Sequence, residues 1–392
     1  MKILVVCQHY HPEPFRITDI CEELVKMGHT VSVVTGLPNY PMGTLYPGYE
    51  SSEKRREEIN GVDVHRCFTI PRKTGVVRRV LNYFSFAISS SRYVKKLDAD
   101  YDVVFVNQLS PVMMANAGIK YKKKHGTSLV LYCLDLWPES LTVGGIKKGS
   151  AVYRVFHKIS RKIYSSADRL LITSKSFAKY FEKEFGISNT EYLPQYAEAL
   201  FDPETCKKKD NGYVDLMFAG NVGVAQSVDT IIRAAKLTED IPNLRWHIVG
   251  EGSELNNCRV LAEKLSAKSV IFHGRHPIEE MPRFYAMADA MLVTMQKNPI
   301  VSLTLPGKVQ TYMAAGKPII GAIDGETALV IDEAKCGLCV PAEDHVALAK
   351  VARDFVNSNA DHYAEKSSRY YENNFEKNRV IGQISEKLSG CP

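Results

Sequence analysis

The chain has 392 residues, 45% hydrophobic and 24% charged, with a formal net charge of +6. That length predicts two domains, each able to bury an ordinary core, and the composition excludes a collagen-like, low-complexity or disordered chain. Nine cysteines, scattered and odd in number, argue against a disulfide framework and for a reducing cytosol.

The opening Met1-Lys2-Ile3-Leu4-Val5-Val6 lacks a basic region followed by a long apolar one, so it predicts a strand at 2–7 rather than a leader. No run reaches the ~18 apolar residues of a membrane span. A cytoplasmic protein is expected, soluble or peripheral. Residues 17–27 carry apolar side chains at helical spacing and stop at Gly28-His29; 30–35 is the next strand. This β-α-β order predicts a parallel sheet covered by helices on both faces. Strands at 103–107, 128–133 and 169–173 continue it. Around 194–212 the pattern yields to a polar linker ending in Lys207-Lys208-Lys209-Asp210-Asn211-Gly212. Alternation resumes with strands at 214–218, 246–249, 270–273, 290–294 and 319–323. Residues 360–388 read as a polar helical stretch. The expected fold is α/β: two doubly wound, Rossmann-like domains facing a central cleft, at 1–200 and 201–370. A C-terminal helix at 371–392 is expected to pack back on the first domain. Ligands should sit at the carboxyl ends of the strands.

In the second half, Phe218-Ala219-Gly220-Asn221-Val222-Gly223 follows a strand and precedes a helix predicted at 228–235. Glycines there let a backbone approach a phosphate, and a helix N-terminus supplies free N–H groups. A tight strand-to-helix turn accounts for the same letters. Val249-Gly250-Glu251-Gly252-Ser253 and Gly274-Arg275-His276-Pro277 also follow strands, and three such loops would line one crevice. Leu305-Pro306-Gly307-Lys308 opens a short helix that ends at Gly316. Lys308 either points at an anion held there or sits solvated on a capped surface helix.

In the first half, Asp135-Leu136-Trp137-Pro138-Glu139 follows a strand. An acid in that place suits acceptor binding or proton handling; it also suits capping of the next helix, with Trp137 as packing. His9 and His11 lie in the loop after the first strand, bordering the expected cleft. Asp98-Ala99-Asp100 has the letters of a metal-binding Asp-x-Asp but precedes a strand. Cys336-Gly337-Leu338-Cys339 has no second pair at metal spacing, so no metal site is expected.

Charge is uneven: residues 1–200 hold 28 Lys+Arg against 19 Asp+Glu, and the remainder 22 against 25. Basic segments with interleaved aromatics run through Arg72, Lys73, Arg78, Arg79, Tyr83, Phe84 and Phe86, then Lys120-Tyr121-Lys122-Lys123-Lys124, then 154–162. They read as an anionic membrane surface's partner or as solvated helix faces. Nucleic acid is not expected, because no recognition module accompanies them.

Taken in order, several stretches resemble the family 4 glycosyltransferases of the two-domain GT-B fold. They are His9 to Arg16, Gly28-His29, Gly36-Leu37-Pro38-Asn39-Tyr40-Pro41, Asp135 to Ser140, Ala219 to Gln226, Val249 to Gly252, Pro306-Gly307-Lys308 through Tyr312-Met313-Ala314-Ala315-Gly316-Lys317-Pro318, and Asp324-Gly325-Glu326 running to Cys336-Gly337. The resemblance is greatest to the bacterial O-antigen and capsule N-acetylfucosamine transferases. It implies transfer from a UDP-sugar, with no metal or other cofactor, to a polyprenyl-diphosphate-linked saccharide at the inner face of the cytoplasmic membrane, with retention. It further implies a diphosphate at Gly220, Asn221, Gly223 and Gln226, a base near Gly250, Glu251 and Arg275, and ribose and sugar near Ser302, Thr304, Thr311 and Glu326. Lys308, with Arg16 as a second cation, would stabilise the departing UDP. Asp135 would serve catalysis, and His9, His11, Glu13, Asn39, Trp137 and Glu139 the acceptor. Two departures stand out. Many members carry glutamates at the positions of Leu303 and Thr311, and a lysine where Val224-Ala225-Gln226 stands. A Thr311 hydroxyl or Gln310 would then meet the ribose. A nucleotide-sugar 2-epimerase and a non-catalytic donor-binding partner are the alternatives.

Overall fold

The computed structural model describes residues 1–50, 53–72, 75–143, 145–358 and 360–390. Lys73, Cys391 and the side chain of Arg79 lie outside the described residues. The chain divides into two compact units, Met1–Leu193 with Ile381–Pro392, and Pro194–Val380. The division falls at Leu193 rather than 200, and the returning segment starts at Ile381 rather than 371.

The first unit is built on β1 (Lys2–Val6), β2 (Thr30–Gly36), β3 (Arg56–Ile59), β4 (Val62–Cys67), β5 (Val103–Gln108), β6 (Ser128–Cys133), β7 (Arg169–Ile172) and β8 (Thr190–Tyr192). Their order is β3-β4-β2-β1-β5-β6-β7-β8. Every pairing is parallel except β3 with β4. Central strands read as unbroken apolar runs because helices cover both faces; β5 is buried along its whole length. The helices are α1 (Ile17–Lys26), α2 (Val76–Lys96), α3 (Asn116–His125), α4 (Glu139–Val143), α5 (Ala151–Tyr164) and α6 (Ser176–Phe185). The strand order reverses between β1 and β5, which makes the loops after β1, β2, β5 and β6 the ligand end of this sheet. Each of those loops contains one cis X–Pro bond, at His11-Pro12, Tyr40-Pro41, Ser110-Pro111 and Trp137-Pro138.

The second unit is built on β9 (Val214–Ala219), β10 (Leu244–Val249), β11 (Val270–Gly274), β12 (Ala290–Thr294), β13 (Ile319–Ala322) and β14 (Gly337–Val340), in the order β11-β10-β9-β12-β13-β14. All pairings are parallel. The reversal lies between β9 and β12, so the Gly220 loop stands at the switch point. Its helices are α7 (Asp229–Lys236), α8 (Leu255–Leu265), α9 (Met281–Tyr285), α10 (Gly307–Ala314), α11 (Glu326–Ala334), α12 (His345–Val356) and α13 (Ala360–Asn374). The polar stretch expected as one helix breaks before α14 (Lys377–Ser389). Phe375 is buried there, and the Glu376 carboxylate accepts the N–H groups of Asn378 (2.9 Å) and Arg379 (2.8 Å), which caps the new helix. Within the first unit, the end of α14 is held by Ser385 Oγ on His29 Nε2 (2.9 Å) and by a contact between Arg169 and the Gly390 carbonyl.

Candidate active site

In the second unit, the loops after β9, β10 and β11 lie side by side and are laced by backbone bonds. Gly220 N donates to Val249 O (2.9 Å), Val222 N to Glu251 O (2.8 Å) and Gly250 N to Gly274 O (2.7 Å). Gly250 has φ +140°, and a Cβ there would stand 1.8 Å from Gly220 O, so only glycine permits the close approach. Gln226 is a brace of this loop: its Oε1 accepts from Gly223 N (3.2 Å) and Asn221 Nδ2 (3.0 Å). The helix predicted at 228–235 forms one residue later, at Asp229–Lys236. A single 3₁₀ turn, Val224–Gln226, comes between loop and helix, and α7 opens with Asp229, an acid that offsets the positive helix end.

Lys308 enters this crevice from α10. Its stem is partly exposed, yet Nζ is buried and has no hydrogen-bond partner among the described residues. The ammonium lies 3.8 Å from the centroid of the Phe218 ring. Gly220, at φ +142°, leaves room for it; a Cβ there would be 2.8 Å from Nζ. Burial pushes the Lys308 pKa down to about 7. Tyr312, one turn on, fixes the helix to the strand end. Its buried hydroxyl donates to Ala219 O (2.9 Å) and accepts from Ala219 N (3.2 Å). Thr311 and Gln310 are both buried. The Thr311 hydroxyl donates to Gly307 O (3.1 Å), and the Gln310 amide donates to Pro306 O (2.9 Å). The two side chains expected at the ribose thus give hydrogens to backbone carbonyls at the start of α10, and each keeps an oxygen that can accept. Ser302 Oγ donates to Pro299 O (2.9 Å), and Thr304 O receives the Thr327 hydroxyl (3.0 Å). Glu326 is buried in the first turn of α11, whereas Glu251 and Arg275 are exposed at the ends of β10 and β11.

In the first unit, the loops after β1 and β2 are built around a buried carboxylate. Glu13 Oε1 accepts from His9 Nδ1 (2.9 Å), Asn39 N (2.9 Å) and Tyr40 N (2.7 Å). With Nδ1–H given to Glu13, His9 offers Nε2 as an acceptor. Its ring stacks on Phe15 at 4.7 Å. Asn39 Oδ1 accepts from Arg72 N (3.2 Å). His11 is exposed, and Arg16 occupies the N-cap of α1. Asp135 Oδ2 accepts from Ser110 N (3.0 Å), and Trp137 Nε1 donates to Ser110 Oγ (2.8 Å). Burial raises the Asp135 pKa, partly offset by the Ser110 bonds. Glu139 Oε1 receives Tyr153 (2.7 Å), Tyr180 (3.2 Å) and Lys148 (3.2 Å). Glu13, Asn39, Trp137 and Glu139, expected to touch an acceptor, are thus buried braces of the loops that carry His9 and Asp135.

Two family models divide the chain between them: the glycosyl transferase 4-like domain over residues 15–194 and the glycosyl transferases group 1 domain over 205–377. The chain belongs to the family 4 glycosyltransferases. It is 26% identical over its whole length to the whole of the protein named as the colanic acid biosynthesis glycosyl transferase WcaI in Escherichia coli (strain K12). Among solved structures it is similar to the sucrose-phosphate synthase from Thermosynechococcus elongatus (TM-score 0.75, 16% identity), over 100% of both chains. It is also similar to Anabaena Alr3699/HepE in complex with UDP and glucose (TM-score 0.72, 15% identity, 100% of both chains). The fold is GT-B. Three features of this glycosyltransferase went unread in its sequence: the Tyr312 clamp, the Phe218 ring under Lys308, and Ser110 as the joint holder of Asp135 and Trp137. Tyr312 had one signal, its place in the motif stretch that ends at Gly316.

Proposed function

We propose that this glycosyltransferase transfers a sugar, an N-acetylaminosugar of the N-acetylfucosamine type, from UDP to a polyprenyl-diphosphate-linked saccharide in capsule or O-antigen assembly. The observation that carries the donor reading is Lys308: a buried ammonium without a hydrogen-bond partner among the described residues, beneath a glycine loop whose shape excludes a Cβ. Such a group is poised for a diphosphate, because charge developing on the leaving UDP would meet a fixed cation in a site of low dielectric. The UDP complex of a structural neighbour supports a uridine nucleotide. His9 Nε2 and Asp135 would orient the acceptor hydroxyl, with retention at the sugar and no metal.

The membrane part of the reading rests on α2. Val80, Leu81, Phe84 and Ile88 are all more than a third exposed on that helix. Arg92 and Lys95 follow them, and both bear electrostatically on Lys120, whose pKa is lowered by burial first and then by these two cations. An apolar ridge beside clustered cations suits an anionic lipid surface. Among the described residues no helix is long and apolar enough to cross a membrane.

The test is UDP release from a panel of UDP-sugars, with and without a short-chain lipid-diphosphate saccharide. Release that needs the acceptor and favours one donor supports the proposal. Conversion of a donor without acceptor would replace it with an epimerase, and silence across the panel would replace it with a donor-binding partner.

A further inference from the structure

Under the loop that ends β11, three titratable side chains form a hydrogen-bonded chain inside the second unit. Asp215, near the start of β9, is fully buried. Its Oδ1 accepts from Arg245 Nε (2.6 Å) and lies 2.9 Å from His247 Nε2. Its Oδ2 accepts from Lys208 Nζ (2.7 Å) and Asn211 Nδ2 (2.9 Å). Burial alone would push this carboxyl up. The bonds from His247, Arg245, Asn211 and Lys208 outweigh burial and hold it well below the usual carboxylate range. An ionised carboxylate only accepts, so His247 carries its proton on Nε2. With one proton on each ring, His247 has a lone pair at Nδ1, and His273 Nε2 stands 2.8 Å away. That bond needs a proton, so His273 is also the Nε2–H tautomer. His273 Nδ1 is left without a partner among the described residues.

The pair can take up one proton without losing a hydrogen bond. A proton arriving at His273 Nδ1 lets the shared proton cross from His273 Nε2 to His247 Nδ1. The imidazolium then lies against Asp215, and His273 becomes the acceptor of the shared bond. His273 is one residue from Gly274, whose carbonyl receives Gly250 N–H, and two from Arg275. Its own carbonyl lies 3.2 Å from His276 Nε2. The groups that bear on His273 are His247 from β10 and His276 and Arg283 from the turn and helix after β11; Asp215 from β9 faces His247 and carries Arg245 from β10, and Glu280 lies 3.0 Å from His276 Nδ1. Lys208 and Asp289 complete the ring around Asp215, joined at 2.7 Å. Burial first, then His247, His276 and Arg283, depress the His273 pKa. Extra positive charge on this pair therefore opposes Arg283, on the helix that follows the loop.

We propose that Asp215, His247 and His273 form a proton relay that sets the posture of residues 274–277, and that nucleotide binding in the adjoining crevice weakens when the pair takes up a proton. This rests on the donor reading above. His273 is a positioning residue here; it acts through the loop.

Two measurements on the full-length protein test it. Nitrogen-15 spectra of the histidine rings at about pH 8 should show Nε2–H on both His247 and His273. A Nδ1–H form of His247 at that pH overturns the relay. UDP affinity is then compared between about pH 8 and pH 5.5 for the parent, His273→Gln and His273→Leu. Glutamine can still donate to His247 Nδ1 but does not titrate. UDP's own phosphate, Lys308 and the ring of His247 are common to all three proteins, so the comparison between them isolates the part played by the His273 ring. On acidification the parent should lose about fivefold more affinity than His273→Gln, and His273→Leu should bind weakly at both pH values. Equal pH profiles in parent and His273→Gln overturn the functional claim. If UDP binds none of the three, the donor reading falls, and the nitrogen spectra alone decide the relay.

Discussion

Replacing Lys308 with methionine keeps the stem and removes the charge. The free protein holds this group buried, without a hydrogen-bond partner among the described residues, with a pKa lowered to about 7. At about pH 8 only roughly one Lys308 in ten is charged before the donor arrives. A bound diphosphate returns the pKa toward the ordinary lysine range, so binding at that pH should take up roughly 0.9 proton, and at about pH 6 only roughly 0.1. Isothermal calorimetry of UDP binding in buffers of different ionisation enthalpy measures this number directly. The loss of a charge-assisted contact should also weaken UDP binding about tenfold or more. Stability moves the other way. Because the folded pKa is depressed, the unfolded chain binds more protons above about pH 7, so the donor-free protein gains stability as pH rises through that value. Lys308→Met should therefore resist urea better than the parent below about pH 7, with the difference narrowing above it. Equal proton uptake by the parent and Lys308→Met would refute the reasoning.

Tyr312→Phe leaves both backbone groups of Ala219 without the hydroxyl that they share. It should cost about 1–3 kcal/mol in urea unfolding and weaken UDP binding, since α10 would no longer be fixed to the end of β9. Activity should persist in EDTA; loss of activity with rescue by manganese would overturn the metal-free proposal. Phe84→Asp with Ile88→Asp, both on exposed positions of α2, should reduce sedimentation with anionic vesicles while leaving the melting temperature within a few degrees. Unchanged sedimentation would remove α2 from any membrane role.

The parallel strands were legible because burial on both faces writes them as apolar runs. β1, β5, β6 and β12 lie within a residue of where the pattern put them. The hairpin of β3 and β4 was not, since Arg56-Glu57-Glu58-Ile59 is a half-exposed edge strand with no apolar run to mark it. The break between α13 and α14 was also unread, because it depends on Phe375 turning inward, a contact rather than a pattern. The site divided in the same way. Glycine loops announce themselves through backbone geometry, so Gly220, Gly250 and Gly274 were found at the ends of adjacent strands. Which polar residues face solvent and which hold the loops together is set by tertiary packing. The letters Glu13, Asn39 and Glu139 carry no mark of their burial. The Asp215 chain was invisible for the same reason: its members sit on β9, β10 and β11 and meet only when those strands pair.

The departure at position 311 and the state of Lys308 have one physical explanation. Residues 308 and 311 are one turn apart on α10, a spacing at which side chains meet. A glutamate at 311, as many members of the family carry, would place a carboxylate within reach of Nζ, keep the lysine charged and reduce the field it presents to a diphosphate. Threonine turns its hydroxyl to Gly307 O and leaves the ammonium without a hydrogen-bond partner among the described residues. One buried cation in a medium of low dielectric can then do what several do nearer water. Thr311→Asp, close to threonine in size, tests this. The new carboxylate should raise the Lys308 pKa, so that proton uptake on UDP binding at about pH 8 falls toward zero while affinity drops. A Thr311→Asp protein that folds and still takes up nearly a full proton would show that position 311 does not govern the charge of Lys308, and the missing glutamate would then need another cause.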